Sequence, residues 1–345
     1  MKLKRKAVLW SLVTVFIFSS GIVFAQTSKA DYQAKINQLQ SRQQELVTKM
    51  QEATDAGNRE EYDNLMAEYN KNKTEIDKIK AEVAAMGNKD SQIKSAINNG
   101  NRLIRMGQYE EAVQSYDQAI SLDPVNYKPY YSKGIALRRL RRYPEAEAAY
   151  LKAIELNPSY SRSYFNLGVL YRDMEEYDKA IGVYRNALAQ DPTLAKAHYE
   201  IGLIHDKRKN YSVAIESFTK ATESDSNYAN AFNATGKSLI ELGKNREAIE
   251  ALQKAIVIDP KLGNAYYRMA QAYNNVGEFS QALSAAQSCL TINKRMAASH
   301  VEIGRAYEGL GDKANAIASY EEAGKDRRLK KWVDWKIDKL KKESQ

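Results

Sequence analysis

An all-α chain of stacked helical hairpins is what this sequence predicts, and three observations predict it. A block of 34 residues recurs seven times without an insertion between Ile93 and Lys330. Within the blocks, small residues return in fixed columns, the first being Gly100, Gly134, Gly168, Gly202, Gly236, Ala270 and Gly304. Ahead of the blocks, residues 29–86 contain no proline and space their apolar residues in alternating steps of three and four. Small side chains at constant spacing mark places where two helix backbones approach closely. A repeat of this length is a unit that cannot bury its apolar face alone and must stack on its neighbours.

The chain begins with Lys2, Lys4, Arg5 and Lys6, followed by an apolar run from Ala7 to Phe18 and by Val23-Phe24-Ala25 before Gln26. That order predicts a secretory signal peptide over residues 1–25, cleaved before Gln26. The alternative is an uncleaved anchor, because residues 7–28 carry no charge and are just long enough to cross a bilayer. No cysteine lies nearby, which excludes lipoprotein attachment. The expected location is therefore periplasmic or extracellular, with membrane contact through residues 7–28 only if they are retained. The formal charge of +9 falls to about +5 without the four leading cations, and charges of both signs are interspersed. Nothing in that pattern marks a nucleic-acid surface. The single cysteine, Cys289, has no partner for an intrachain disulfide, so the fold must rest on helix packing.

Residues 29–86 read as an antiparallel helical hairpin or short coiled coil. One seam runs Ile36, Leu39, Gln43, Leu46, Met50, Ala53, and the other runs Tyr62, Leu65, Tyr69, Asn72, Ile76, Ile79, Val83, Met86. They meet at the breaker Asp55-Ala56-Gly57-Asn58. Gln43 and Asn72 are polar seam residues that either fix the register or are tolerated imperfections. Such short seams bury little, so self-association through this segment is a further expectation. Residues 87–92, containing Gly87-Asn88-Lys89-Asp90-Ser91, are the expected linker.

The repeats then occupy 93–126, 127–160, 161–194, 195–228, 229–262, 263–296 and 297–330. Each holds two helices with a turn near Gly107, Arg141, Glu175, Lys209, Gly243, Gly277 and Gly311. The second helix carries two small columns. One is Ala112, Ala146, Ala180, Ala214, Ala248, Ala282, Ala316; the other is Ala119, Ala153, Ala187, Ala221, Ala255, Cys289, Ala323. Between them stand Tyr116, Tyr150, Tyr184, Phe218, Leu252, Ala286 and Tyr320, large against small. Pro124, Pro158, Pro192 and Pro260 end the second helices. Residues 329–345 form a capping helix and tail, with Leu329, Trp332, Val333, Ile337 and Leu340 on one face and lysines around it. The competing role for that helix is contact with an anionic membrane surface.

The unit Tyr164…Leu167-Gly168…Tyr171…Tyr177…Ala180…Tyr184…Ala187…Pro192 resembles the tetratricopeptide repeat family at every key column. The resemblance spans about 238 residues, seven units of 34. It implies a right-handed α-α superhelix, a TPR solenoid, whose concave groove is lined by the first helix of each unit. It also implies protein–protein recognition rather than catalysis. Ala286, Cys289 and Lys294 in repeat six, and Lys313 and Arg328 in repeat seven, depart from the pattern and predict less regular stacking there.

On the family's geometry the second residue of each unit faces the groove: Lys94, Lys128, Arg162, Lys196, Asn230, Asn264 and Ala298. The fifth residues are Ile97, Tyr131, Phe165, Tyr199, Asn233, Tyr267 and Val301. Four cations beside aromatic rings suit an extended acidic peptide, with Asn166 as a further polar contact. The plainer reading is a solvated basic stripe. The family's clamp for a terminal carboxylate is incomplete: Asn101 and Asn166 stand in its asparagine columns, but Ile97 replaces its lysine and Glu200 its arginine.

No nucleophile–base motif, phosphate loop or cysteine cluster appears, and His198, His205 and His300 sit in packing columns. The sequence therefore predicts no enzyme, no metal and no cofactor. It predicts an exported scaffold or adaptor of the cell envelope that binds a protein or acidic peptide. The alternatives are a membrane-tethered oligomeric assembly factor and a regulatory subunit of an envelope enzyme complex.

Overall fold

The structure, a computed structural model, describes residues 28–342. The expected leader over residues 1–25 and its cleavage site lie outside the described residues. The chain divides into two compact units between Gln92 and Ile93.

In the first unit, α1 (Lys29–Asp55) starts at a reciprocal cap. Ser28 Oγ accepts from the Asp31 amide at 3.2 Å, and Asp31 accepts from the Ser28 amide at 2.8 Å. Gly57, at φ +70°, reverses the chain where the breaker was expected. The next helix is α2 (Arg59–Arg105). Cross-contacts descend along one helix as they ascend along the other: Arg42 with Glu68, then Lys35 with Glu75. The two helices are therefore antiparallel. Ile36, Leu46, Ala53, Ile76 and Ile79 are buried between them. Asn72 is buried too, and its amide donates to the Leu39 carbonyl at 2.9 Å. A one-turn slip would orphan that amide, so the polar seam residue holds register.

The expected linker is helical. Residues 87–92 lie inside α2. One glycine costs a helix only about 1 kcal/mol relative to alanine, and the stretch has no proline. Lys29 also reaches Asp90 at 2.6 Å.

In the second unit, α2 from residue 93 onward serves as the first helix of repeat one, with α3 (Tyr109–Leu122) as the second. Repeat two is α4 (Tyr127–Arg139) and α5 (Tyr143–Leu156); repeat three is α6 (Ser161–Asp173) and α7 (Tyr177–Gln190). Repeat four is α8 (Ala195–Lys207) and α9 (Tyr211–Ser224); repeat five is α10 (Ala229–Glu241) and α11 (Asn245–Ile258). Repeat six is α12 (Gly263–Asn275) and α13 (Phe279–Ile292); repeat seven is α14 (Ala297–Gly309) and α15 (Lys313–Ala323). The last helix is α16 (Arg327–Lys342). The described residues form no strand.

All seven expected turn residues have positive φ, including the non-glycines Arg141, Glu175 and Lys209 at 59–61°. The residue after each of them donates its amide back to the carbonyl five positions earlier, as in Arg142 to Leu137 at 2.9 Å. That bond satisfies carbonyls the helix end would leave open. At the far end of the second helices a further column appears: Asn157, Asp191, Asp225, Asp259 and Asn293. Each accepts an amide two residues on through its side chain. Asn293 thus keeps the turn of repeat six although Lys294 replaces proline.

The small columns meet the large one inside each repeat. A Cβ placed on Gly168 would lie 2.6 Å from the Tyr184 ring, and one on Gly100, Gly134, Gly202, Gly236 or Gly304 would meet its partner within 2.5–2.6 Å. Those partners, from Tyr116 to Tyr320, are fully buried. In repeat six both members change together. Ala270 brings the Cβ the other repeats exclude, and Ala286 removes the ring it would strike. Both are fully buried. This compensation explains why repeat six keeps helices of 13 and 14 residues, like repeats two to five, against the expected irregularity. Cys289 is buried in its alanine column. Repeat seven does depart, with α15 shortened to 11 residues and ended at Gly324.

Helix α16 closes the stack. Val333, Ile337 and Leu340 are buried on Ala316, Tyr320 and Ala323, and Lys336 pairs with Glu308 at 2.8 Å. Among the described residues no helix is long and apolar enough to cross a membrane.

Candidate protein-binding groove

The first helices of successive repeats touch one another (α4 with α6, α8 with α10, α10 with α12, α12 with α14), which the second helices do at most marginally. The first helices therefore line the inner side of the stack. Sequence places one residue of each column there every 34 positions, so whatever a column holds becomes a stripe.

The second-column cations Lys94, Lys128, Arg162 and Lys196 are all exposed. Among the described residues none of the four has an acidic partner at ion-pair distance, although ion pairs are common elsewhere on this unit. Asn230 and Asn264 continue the column, also exposed. The fifth column is less open than its sequence suggests. Tyr131, Phe165, Tyr199 and Tyr267 are half-buried. The Phe165 ring packs 5.6 Å from Tyr184, and Tyr199 lies 5.6 Å from Phe218 and 5.0 Å from Tyr228. These rings roof the core and turn only part of their surface to the groove. Phe165 and Tyr199 thus cover part of the second helix beneath them.

The structure joins Tyr131 to Asn166, whose amide donates to the phenol at 3.0 Å, and Tyr131 meets Tyr160 edge-on at 5.2 Å. Burial pushes the Tyr131 phenol up to about 12, with Tyr160 adding to the effect. Burial also raises Tyr199 and Tyr267. All three are neutral donors or acceptors at physiological pH.

Sequence reasoning missed a deeper polar layer. Arg138 pairs with Asp173 at 2.5 Å, and Arg172 pairs with Glu200 at 2.5 Å and Asp173 at 2.9 Å. Burial opposes the Arg172 charge, but its bonds to Glu200 and Asp173 push its pKa up overall. Further along, Asp206 holds Lys237 and accepts from Ser238 at 3.0 Å. Glu302, almost fully buried, accepts from Asn274 at 2.8 Å and pairs with Arg305 at 3.0 Å. Burial raises the Glu302 pKa against the pull of Arg305. Arg268 donates to Asn233 at 2.6 Å. The signal for this layer was present as partners close to one repeat apart, 28 for Arg172 with Glu200 and Asn274 with Glu302, 31 and 32 for Asp206 with Lys237 and Ser238, and 35 for Arg138 with Asp173 and Asn233 with Arg268. It was invisible when each column was read by itself.

Burial lowers the pKa of His198, His205 and His300 alike. Among the described residues no group of three or more His, Cys, Asp or Glu side chains is placed to hold a metal.

Tetratricopeptide repeat profiles match residues 97–161, 149–182, 170–208, 195–228, 236–277, 263–295 and 297–323. The C-terminal part of a TPR repeat-containing protein from Cytophaga hutchinsonii is 17% identical, with a TM-score of 0.58 over 69% of this chain and 98% of that one. A tetratricopeptide repeat protein from Parabacteroides merdae is 21% identical, with a TM-score of 0.50 over 72% and 98%. YrrB, described as a TPR protein with an unusual peptide-binding site, is 24% identical over 51% and 91%, with a TM-score of 0.47. No curated protein matches the chain by sequence. Repeat period, turn geometry, packing columns and profile matches agree: the chain belongs to the tetratricopeptide repeat family.

Proposed function

We propose that this protein is a non-enzymatic adaptor of the cell envelope whose inner groove holds an extended acidic segment of a partner protein. The tetratricopeptide repeat fold supports a protein–protein interaction scaffold in general. The observation that carries the finer reading is the stripe Lys94, Lys128, Arg162 and Lys196, exposed and without acidic partners among the described residues. The deeper cations Arg138 and Arg172 are already neutralised by Asp173 and Glu200. A basic stripe left open above a neutralised layer is suited to carboxylates arriving from outside, because a charge-assisted bond formed there displaces no existing ion pair. Tyr131, Phe165 and Tyr199 offer partial ring surfaces for apolar side chains between those carboxylates. The envelope location rests on the cationic and apolar order of residues 1–25.

Joint reversal of Arg162→Glu and Lys196→Glu tests the stripe. Affinity for a partner isolated by crosslinking from the groove should fall at least about tenfold, and wild-type binding should weaken with salt. Unchanged affinity together with salt-independent binding would rule the stripe out. The mature N-terminus, read by mass spectrometry, tests export: a start at Gln26 agrees with it, and an intact Met1 favours a tethered form.

A further inference from the structure

Among the described residues only two aromatic side chains are exposed, and both stand on α16: Trp332 at 40% and Trp335 at 58%. Every other described ring is buried or half-buried. Trp332 has a packing task, since it meets the Tyr320 ring edge-on at 5.7 Å. Trp335 has no such task. It stands two positions from Val333 and two from Ile337, both buried, and so lies on the opposite side of the helix. Around Trp335 that outer side is basic. Arg328, Lys331, Trp335, Lys339 and Lys342 follow in steps of three and four, so they share one stripe, and all five are exposed. The Lys339 ammonium sits 5.9 Å from the Trp335 ring. Arg328 pairs with Asp326 at 2.6 Å, whereas Lys331 and Lys342 have no acidic partner at ion-pair distance among the described residues. Residues 327–342 hold eight cations against two carboxylates. Asp334 is taken by Lys330 at 3.0 Å, and Asp338 stands at the edge of the stripe.

An indole left in water forgoes the gain its burial would bring, and like charges along one helix face repel one another. A lipid surface with anionic headgroups relieves both costs. The indole settles at headgroup level with its ring against the upper acyl chains, and long cationic side chains reach the phosphates. We propose that the outer face of α16 docks this end of the protein on an anionic lipid surface, with Trp335 as the inserted ring and Arg328, Lys331, Lys339 and Lys342 as the phosphate contacts. The helix lies along the surface and does not cross it. Capping and membrane contact, alternatives when the helix was read as a sequence, use opposite faces and are compatible. The inference does not rest on the groove reading, because no groove residue takes part.

The experiment is co-flotation of the chain from Gln26 onward, which keeps every described residue and removes residues 7–28 as a source of membrane binding. The probes are vesicles of phosphatidylglycerol with phosphatidylcholine, and of phosphatidylcholine alone. Wild type should float with the anionic vesicles and not the neutral ones, and binding should weaken as salt rises. Its tryptophan emission should shift to the blue on binding, because Trp332 and Trp335 are the only indoles in that chain. Trp335→Ala should remove most of the shift, weaken binding at least about fivefold and leave the melting temperature unchanged. Lys331→Glu with Lys342→Glu should weaken binding at least about tenfold, again at an unchanged melting temperature. Wild-type binding by either variant overturns the inference, and so does equal binding to neutral vesicles. A lower melting temperature in Trp335→Ala would assign the ring to the cap and end the proposal. Polyglutamate separates lipid from an acidic protein. If the double reversal weakens polyglutamate as much as vesicles, and vesicle binding leaves the emission unshifted, the stripe is a protein contact and the lipid assignment fails.

Discussion

Repeats one to four and repeats five to seven solve the same packing problem with different residues, and they leave the groove in different states. In the first four, every first-helix glycine faces a buried aromatic ring, and the second-column residues are all cations. In the last three, Leu252 and then Ala286 replace the ring before Tyr320 restores it, and the second column turns neutral at Asn230, Asn264 and Ala298. The inner charged layer persists in the second half, on Lys237, Arg268, Glu302 and Arg305, while the exposed stripe ends. A solenoid permits this because each repeat contacts chiefly its neighbours, so one end can specialise without disturbing the other. The difference also shows that column identity alone is a poor guide to function. What matters is whether a neighbouring repeat already neutralises the charge.

The sharpest way to break the comparison is to make one half look like the other. Ala286→Tyr alone should collide with the Ala270 Cβ and destabilise by about 2–4 kcal/mol, with overpacking as the cause. Adding Ala270→Gly restores the arrangement of the other repeats and should recover most of that loss. Chemical denaturation of both singles and the double gives the coupling, and additive losses would show that the two sites are independent. The reciprocal change, Gly168→Val, should be at least as damaging, because the Tyr184 ring is fully buried and has nowhere to move.

The second half also carries the end of the stack. Val333→Asp places a charge in the contact between α16 and Tyr320, and a loss of about 3 kcal/mol is expected. Deleting residues 329–345 should lower the melting temperature for the same reason. An unchanged melting temperature would mean that α16 does not cap the stack.

The inner ion pairs should respond unequally. Glu200→Gln removes a carboxylate from Arg172 and should cost about 1–2 kcal/mol. Glu302→Gln should stay within about 1 kcal/mol of wild type at neutral pH, because burial already disfavours the charged form and the amide can keep a bond to Asn274. The sign of its pH dependence follows. A carboxyl whose folded pKa is raised contributes stability that is fully present below its ordinary 4.5 and lost as pH rises through the folded value. Wild type should therefore lose that increment above pH 4.5 and Glu302→Gln should not, as thermal melts across acid to neutral pH would show.

The smallest effect belongs to the turns. Glu175 and Lys209 hold left-handed backbone at φ 61° and 60°, where repeats five to seven use glycine. Glu175→Gly should stabilise by roughly 0.5–1 kcal/mol through relief of that strain, partly offset by the entropy of a more flexible unfolded chain. A destabilised variant would mean that the Glu175 pair with Lys207 outweighs the backbone term.

Much of this architecture was legible in the sequence because its causes are local or strictly periodic. A left-handed turn recurs at a fixed distance from a glycine, and a ring recurs at a fixed distance from the residue it excludes. The hairpin breaker at Gly57 and the capping face of α16 could be read for the same reason. That residues 87–92, which end at the boundary between the two units, are helical was not legible, because no residue there forbids a helix and marginal propensities are decided by the helix on either side. Repeat six looked irregular because Ala270 and Ala286 were judged in separate columns. Only the tertiary structure decided which groove cations are open and which are neutralised. Lys128 and Arg138 are indistinguishable as charges on the same helix, yet the reach of Asp173 from the next repeat neutralises one and leaves the other free. Coulomb attraction acts between side chains a few ångströms apart in space, and a sequence read column by column does not contain that distance.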